Sequence, residues 1–318
     1  MSGVTTTPIT PTSSVEHAHV TSRTAAMSVG VALFLILIKT WAWFASSSVA
    51  MLASLADSTL DLAASLFTYF AVRYAAAPPD REHRFGHGKA EAFAGLVQAG
   101  LVAVSAVLIG LEAVSRFLRP QAITHGDESL IVMAIAILAT MGLVYAQTRA
   151  IQRTGSVATR ADRLHYSGDV AANLVVILGV GAGAYLGLTW ADAAAGALVA
   201  AWLAWGALNV SREAADHLLD RELPEADRAR IRERAEADPG MGHVHDLRTR
   251  TSGPYVHIQF HAELDPALTL EDAHKIVVAA EERIRALYPT ADIIIHPDPR
   301  GRAEPHGHEH FERADSES

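Results

Sequence analysis

The chain has no cysteine among its 318 residues, and only 19% of its residues are charged. Disulfides and thiolate ligands are therefore excluded, which argues against a copper(I) or iron-sulfur site but leaves zinc, iron(II), manganese, cobalt and cadmium open. The formal net charge of -9 gives no basic footprint for nucleic acid. A GxxxxGK[ST] motif is also missing, so ATP is not the evident energy source.

Hydrophobic residues make up 50% of the chain and are gathered into long blocks. A helix that spans a bilayer needs roughly 20 apolar residues. Six blocks reach that length, at about residues 26–46, 50–75, 91–116, 128–149, 165–187 and 191–211. We therefore expect an α-helical membrane protein with six transmembrane helices in residues 23–212, after a disordered, Thr-, Ser- and Pro-rich lead at residues 1–22.

Basic residues are concentrated in two of the connections between these spans. The second-to-third connection carries Arg73, Arg81, Arg84 and Lys89, and the fourth-to-fifth carries Arg149, Arg153, Arg160 and Arg163. The first-to-second and fifth-to-sixth connections have no Lys or Arg. The positive-inside rule then predicts a multi-pass protein of the inner (plasma) membrane with both termini in the cytoplasm.

After residue 212 the hydropathy falls and the charge density rises, which indicates a soluble domain. The segment PEADRARIRERAEAD has the pattern of a helix, and HVHDLRTRT and YVHIQFHAEL have the pattern of two strands. A second helical pattern and the strand ADIIIHPDP follow, and we expect Pro297 and Pro299 to stop that strand. The order αββαβ predicts a small α+β domain at residues 213–300. The His-containing tail at residues 301–318 is expected to be disordered.

Ionisable side chains occur inside two of the predicted spans. Asp57 and Asp61 lie four residues apart in the second span, and His165 and Asp169 repeat this spacing in the fifth. Residues at i and i+4 share a helix face, so each helix offers two ligands on one stripe. Three carboxylates and an imidazole can hold a divalent metal, and carrying them into lipid is too costly to be accidental. The pattern predicts a membrane transporter of divalent metal ions.

Alternative roles for these groups fit less well. A carboxylate pair could serve helix packing alone, but four ionisable groups at matched spacing favour a functional site. An intramembrane metalloenzyme would also bury His and Asp, but the chain has no HExxH motif. A passive channel or a metal sensor is the remaining alternative, yet a channel must release ions quickly, whereas four converging ligands bind tightly. We therefore expect a secondary active transporter, not an enzyme.

The same chemistry suggests the energy source and the preferred metals. Metal binding requires ionised carboxylates and a neutral imidazole, so an entering cation expels protons. Proton antiport is therefore expected, with a site that faces alternately in and out. One imidazole among carboxylates favours zinc, iron(II) or cadmium over manganese. Lys39, in the first span, is expected to snorkel to the outer membrane surface.

Two further groups of residues are candidate metal ligands outside the spans. Asp80, His83 and His87 lie in the short connection APPDREHRFGHGK and could hold one labile metal; the alternative is a solvated, charged loop. In the soluble domain the candidates are numerous enough for a two-metal cluster with Asp298 as a bridge. They are His245, His261, His274, His296 and Asp298.

Taken in order, these motifs resemble the cation diffusion facilitator family and, within it, the bacterial zinc and iron efflux branch. The resemblance rests on the two paired motifs, HRFGHGKAE, HDLRTR and IIIHPDP, and runs from about residue 24 to 299. It implies a homodimer that exports a divalent cation, with zinc as substrate and regulatory ligand, in exchange for protons. It also implies a metallochaperone-like cytoplasmic domain and assigns the transport, loop and cluster sites to the residues named above.

Overall fold

The computed structural model describes residues 14–46, 49–118, 127–186 and 191–301. These residues form eight helices and three strands. The chain divides into two compact units, Met1–Leu218 and Leu219–Ser318. The first unit is helical and the second has the order αββαβ, so the predicted combination of a helical membrane domain with a small α+β domain is confirmed.

Six long helices make up the described part of the first unit. They are α1 (Ser14–Ser46), α2 (Val49–Ala75), α3 (Lys89–Leu118), α4 (Asp127–Thr154), α5 (Val157–Leu186) and α6 (Ala191–Leu218). Four of them contain segments long and apolar enough to cross a membrane: α1, α3, α4 and α6. The other two, α2 and α5, carry the charged candidate ligands, and for them the span remains a prediction.

The helices pack in a pattern that brings α2 and α5 together. Helix α3 packs along α6 and α1 along α2, while α5 contacts α3, α4, α6 and α2. Glycines permit the close approach of α5 and α6. A Cβ atom added at Gly168 would lie 2.8 Å from Cδ2 of Leu203, and one at Gly206 would lie 2.7 Å from Cδ1 of Leu164. The bulky leucine of each helix therefore occupies the space beside a glycine of the other.

Several predicted boundaries differ from the structure. Helix α1 begins at Ser14, so the last part of the predicted disordered lead is helical. Its polar side chains have partners within the unit: Nε2 of His17 lies 3.3 Å from Oε2 of Glu91, and the hydroxyl of Thr21 donates to the His17 carbonyl at 2.8 Å. Helix α5 begins before the predicted residue 165, and α6 continues past 212, because helices extend beyond their apolar segments. Residues 1–13 and the tail at 302–318 lie outside the described residues.

The second unit consists of a three-stranded sheet and two helices. The elements are α7 (Glu225–Ala235), β1 (Val244–Ser252), β2 (Tyr255–Leu264), α8 (Leu270–Arg285) and β3 (Ala291–Pro299). Strand β2 is central, antiparallel to β1 and parallel to β3. Apolar side chains of both layers form the core, and Ile231, Ile258 and Ile284 within it are fully buried.

Strand β3 ends at Pro299, as predicted, but Pro297 lies within the strand and does not stop it. Both prolines pair in register with β2, Pro297 with Ala262 and Pro299 with Leu264. Proline cannot donate a ladder hydrogen bond, which confines it to edge strands. Strand β3 pairs only with β2 among the described strands, so its outer edge tolerates both prolines.

Candidate metal centres

The first candidate centre lies inside the helical unit, where α2 faces α5. Nε2 of His165 lies 2.9 Å from Oδ1 of Asp61 and 3.8 Å from Oδ2 of Asp169. One ligand atom from each of these residues lies within 4.8 Å of the others. Asp61 is only 7% exposed. Two carboxylates and an imidazole from two helices thus converge at a distance that one metal ion could bridge.

Asp57, the fourth predicted ligand, lies one helical turn before Asp61 and is more exposed. It lines a cavity of about 250 Å³ together with His165 and Asp169. The rest of the wall is largely apolar and comes from α3, α5 and α6, with the Ser105 hydroxyl as a further polar group. The apolar walls offer no atoms that can coordinate a cation. A cation in this cavity would therefore have to exchange its hydrating water for the polar groups that line it.

Lys39 contacts α2, and its predicted snorkelling to the outer membrane surface stays a prediction. Its Nζ atom donates to the hydroxyl of Ser58 at 2.6 Å and to the carbonyl of Ser54 at 3.2 Å. Because α1 packs along α2, these acceptors lie within reach of the amine. The positive charge of Lys39 therefore lies against α2, next to Asp57, the residue that precedes Ser58.

A buried polar network that sequence reasoning missed surrounds Asp162, one turn before His165. The Asp162 carboxylate, 2% exposed, accepts hydrogen bonds from Ser28 Oγ at 2.6 Å, Gln147 Nε2 at 2.8 Å and Gln98 Nε2 at 3.4 Å. These donors lie on α1, α4 and α3, so a single carboxylate ties four helices together. The sequence did contain a signal for this network, because Ser28, Gln98 and Gln147 lie inside apolar blocks. Polar residues are rare in membrane spans unless they have polar partners.

A second contact holds α5 against α2 beside His165. Tyr166 is fully buried, and its hydroxyl lies 2.8 Å from Oγ of Ser65. It also donates to the carbonyl of Ser28 at 3.3 Å. These bonds fix the rotation of α5, because the residue next to His165 is anchored to two other helices.

The second candidate centre is the connection between α2 and α3. Oδ2 of Asp80 lies 3.3 Å from Nε2 of His87, and Oδ1 lies 3.4 Å from Nδ1 of His83. Nδ1 of His87 lies 3.4 Å from the Ala77 carbonyl, an arrangement that directs the other ring nitrogen towards the carboxylate. Gly86 between the histidines has a φ of 79°, a conformation that favours glycine.

Backbone groups keep the Asp80 carboxylate ionised. The N–H groups of His83 and Glu82 donate to its Oδ1 at 2.6 and 2.9 Å. These bonds, that of His83 first, hold the pKa of Asp80 below its ordinary value of 3.8. Because hydrogen bonds to the charged form favour that form, one anionic ligand is available before any metal arrives.

The third candidate centre lies at one end of the sheet in the second unit. The buried Asp298 carboxylate lies 3.0 Å from Nδ1 of His261, 3.3 Å from Nε2 of His245 and 3.3 Å from Nε2 of His296. These histidines come from all three strands, since His245 pairs with His261 and His261 with His296 in register. The two oxygens of this carboxylate could bridge two metal ions. Carboxylate oxygens and imidazole nitrogens together are donors that fit a divalent metal.

Local backbone geometry contributes to this centre. The register of β1 and β2 shifts between His245 and Arg248, and Asp246 has a φ of 50°. Such an irregularity changes the direction in which the neighbouring side chains point. His245 therefore reaches Asp298 although the rest of its strand follows a regular ladder.

His274 is the one predicted ligand of this cluster that no described contact brings to Asp298. It lies on α8 and is exposed. His257 lies 3.3 Å from Asp292, and His243 stacks on His245 with ring centroids 6.1 Å apart. The role of His274 as a ligand stays a prediction.

A helical unit with candidate metal ligands, joined to an α+β unit with a His-rich cluster, is the arrangement expected of a metal-handling membrane protein. Comparison with known proteins identifies its family. Residues 25–219 match the family model "Cation efflux transmembrane domain", and residues 223–300 match "Cation efflux protein, cytoplasmic domain". The chain therefore belongs to the cation diffusion facilitator family of cation-efflux proteins.

Similar proteins cover most of the chain. The cation-efflux pump FieF of Shewanella oneidensis is 42% identical over 272 residues, which are 86% of this chain and 92% of the relative. FieF of Klebsiella pneumoniae is 39% identical over 288 residues, 89% of this chain and 94% of the relative. These relatives are named as pumps, so the protein is a transporter and the metalloenzyme alternative is excluded.

Two solved structures are similar to the second unit. The metal-bound C-terminal domain of the CzcD transporter from Thermotoga maritima is 25% identical and covers 25% of this chain and 93% of its own, with a TM-score of 0.24. The zinc form of a putative zinc transporter, CzrB, is 30% identical and covers 27% of this chain and 98% of its own, also with a TM-score of 0.24.

Proposed function

We propose that the protein exports zinc from the cytoplasm in exchange for protons, with Asp57, Asp61, His165 and Asp169 as the transport site. The observation that carries this proposal is the 2.9 Å contact between His165 and Asp61. A metal ion that takes either ligand must replace this hydrogen bond and displace the proton within it. Metal and proton therefore compete for the same atoms, which is the chemical requirement for exchange.

The donor set supports zinc as the main substrate. Carboxylate oxygens with one imidazole nitrogen suit zinc, and they also accept iron(II) and cadmium, whereas an all-oxygen site would suit manganese. Asp57, His165 and Asp169 line a cavity whose walls come from α2, α3, α5 and α6. A site of this kind requires a change of helix packing to open first to one side and then to the other, as alternating access demands.

We further propose a homodimer in the inner membrane with both termini in the cytoplasm. The basic residues of the α2–α3 and α4–α5 connections support this orientation through the positive-inside rule. In this arrangement the loop centre at Asp80, His83 and His87 and the cluster around Asp298 both lie on the cytoplasmic side. The cluster would then hold a regulatory metal, and the loop would hold metal more weakly because Asp80 and His83 are exposed.

Flux in proteoliposomes tests the transport proposal. Purified protein is reconstituted with a metal-sensing dye inside, and a pH gradient is imposed with zinc, iron(II), cadmium or manganese outside. We expect metal to move against the proton flow, with a matching pH change reported by a second dye. Metal flux that continues unchanged when the pH gradient is abolished and that carries no counter-flow of protons would contradict antiport and favour a channel.

A further inference from the structure

A large cleft of the helical unit is lined by none of the candidate metal ligands. It has a volume of about 530 Å³ and opens between α1 and α2. Its polar lining consists of His19, Ser22 and Arg23 from α1 and of Tyr69 and Arg73 from α2, and the remaining lining residues are alanines. Small side chains thus leave a recess that basic and hydroxyl groups surround.

The charge of this cleft has one sign. In the part of the chain that the structure describes, no carboxylate lines it. The guanidinium groups of Arg23 and Arg73 also form no ion pair with any described carboxylate, although arginines elsewhere do so, as Arg160 does with Glu213 at 3.1 Å. Two uncompensated guanidinium groups around one recess attract an anion.

The Arg73 side chain is held in place before any ligand binds. Its Nη1 donates to the hydroxyl of Tyr69 at 2.9 Å, and its guanidinium lies 5.7 Å from the centre of the same ring. Guanidinium has five N–H donors in a planar fork that matches the oxygen atoms of a phosphate. Because only one donor is needed for Tyr69, the others are available to an anionic group.

An apolar stripe runs from this cleft along α1. It begins at Ala26, which lines the cleft, and continues through Gly30, Leu33 and Leu37. Successive members are three or four residues apart and so share one face of the helix. Leu33 is 47% and Leu37 69% exposed. A soluble anion needs no such surface, whereas the acyl chains of a lipid would cover it. Basic residues at one end of an exposed apolar stripe match the two parts of a phospholipid.

We infer that the cleft between α1 and α2 binds the headgroup phosphate of an anionic phospholipid, whose acyl chains lie along the Leu33–Leu37 stripe of α1. The leaflet rests on the proposed topology, which places Arg23 and Arg73 at the cytoplasmic surface. Lipid bound here bridges the first two helices, and α2 carries Asp57 and Asp61. The site is separate from the transport ligands, so its occupancy can be measured without any transport.

Native mass spectrometry of the full-length protein tests the inference, with phosphatidylglycerol and phosphatidylcholine of equal chain length as probes. We expect the parent protein to retain phosphatidylglycerol and the double variant Arg23→Gln/Arg73→Gln to bind it roughly 30-fold more weakly, since each arginine near an anionic headgroup contributes about fivefold. Tyr69→Phe keeps the ring but removes the hydrogen bond, and should weaken binding by a smaller factor.

Arg149→Gln is the matched control. The Arg149 guanidinium also lies over the ring of a tyrosine four residues earlier, Tyr145, at 4.9 Å, but on α4. We expect this variant to retain phosphatidylglycerol like the parent. Equal retention by the double variant and the parent, or equal binding of phosphatidylcholine, would overturn the inference. Displacement by inorganic phosphate at millimolar concentration would assign the cleft to a soluble anion and also overturn it. Failure of proton-coupled flux, by contrast, would leave each of these lipid outcomes unchanged.

Discussion

Nε2 of His165 on α5 lies 2.9 Å from Oδ1 of Asp61 on α2, and this contact joins the two helices that carry the paired candidate ligands. The ring N–H donates to the carboxylate. Asp169 lies one turn beyond His165, with Oδ2 at 3.8 Å from the same nitrogen. An imidazole between two carboxylates can exchange a proton for a metal without any large movement of its own.

Asp61→Ala should reduce zinc flux in proteoliposomes to about the level of empty vesicles, because the remaining ligands cannot replace the hydration shell of the ion. Asp61→Asn should have the same effect while preserving shape. Thr59→Ala is the control on the same helix, since the Thr59 hydroxyl is exposed and donates to the Leu55 carbonyl one turn earlier. Parental flux in Asp61→Ala would remove this residue from the site.

His165→Asp should shift selectivity towards manganese. The substitution makes the four-ligand set all-oxygen and harder, which favours manganese over zinc. We expect the ratio of manganese to zinc flux to rise about tenfold, the change that roughly 1.4 kcal/mol of ligand preference produces. Competition between the two metals in one vesicle preparation measures it. An unchanged ratio would place selectivity outside these four residues.

Asp298→Asn should abolish most metal binding by the second unit, because one carboxylate contacts the imidazoles of all three strands. Binding is measured by calorimetry on full-length protein that also carries Asp61→Asn, so that the transport site contributes little heat. His243→Ala is the control, since its side chain is 72% exposed and its contact with the cluster is stacking on His245. Equal zinc affinity in Asp298→Asn and His243→Ala would count against Asp298 as a bridge.

The second unit should lose stability as the pH falls below about 6.5, in part through His257. Burial, together with the nearby Arg250, lowers the pKa of His257 from 6.5. The unfolded chain then binds more protons than the folded one below 6.5, so the contribution is complete above that pH and is lost as the pH falls through the folded pKa. Hydrogen exchange of β2 amides, in the presence of a chelator, reports this stability. His257→Gln should flatten its pH dependence, whereas His243→Gln should not.

Asp162→Leu should destabilise the helical unit by about 1–3 kcal/mol, because it leaves the buried donors of Ser28, Gln98 and Gln147 without their common acceptor. Asp162→Asn retains one acceptor oxygen and should have a smaller effect. Thermal unfolding in detergent measures both variants. The control is Glu112→Gln on α3, which alters an exposed carboxylate paired with Arg116 one turn later. Identical melting temperatures in all three variants would contradict a structural role for the network.

The sequence was sufficient to predict the αββαβ order and the paired placement of the candidate ligands on two helices, because both depend on local spacing. Asp57 and Asp61 share a helix face wherever the helix lies. Which of the two meets His165 depends on how α2 packs against α5, and no local pattern encodes that. The network at Asp162 was missed because the fifth span was predicted to begin at residue 165, which left Asp162 in a loop.

Two other details depend on tertiary contacts that local patterns do not encode. The packing of α1 on α2 supplies acceptors for Lys39 at Ser54 and Ser58. The strand that ends at Pro299 continues through Pro297, because proline is harmful only where its missing N–H would have met a neighbour. The sequence did not reveal that this strand lies at the edge of the sheet.

The two prolines of β3 have a consequence for how copies of the second unit can associate. Residues 297 and 299 are two positions apart, so their backbone nitrogens point to the same side of the strand, and the unbroken pairing with β2 makes that side the outer one. A further strand that paired with this edge would lack two backbone N–H donors, at residues 297 and 299. The end of β3 at residues 297–299 therefore disfavours edge-to-edge pairing of two copies of this unit into one continuous sheet.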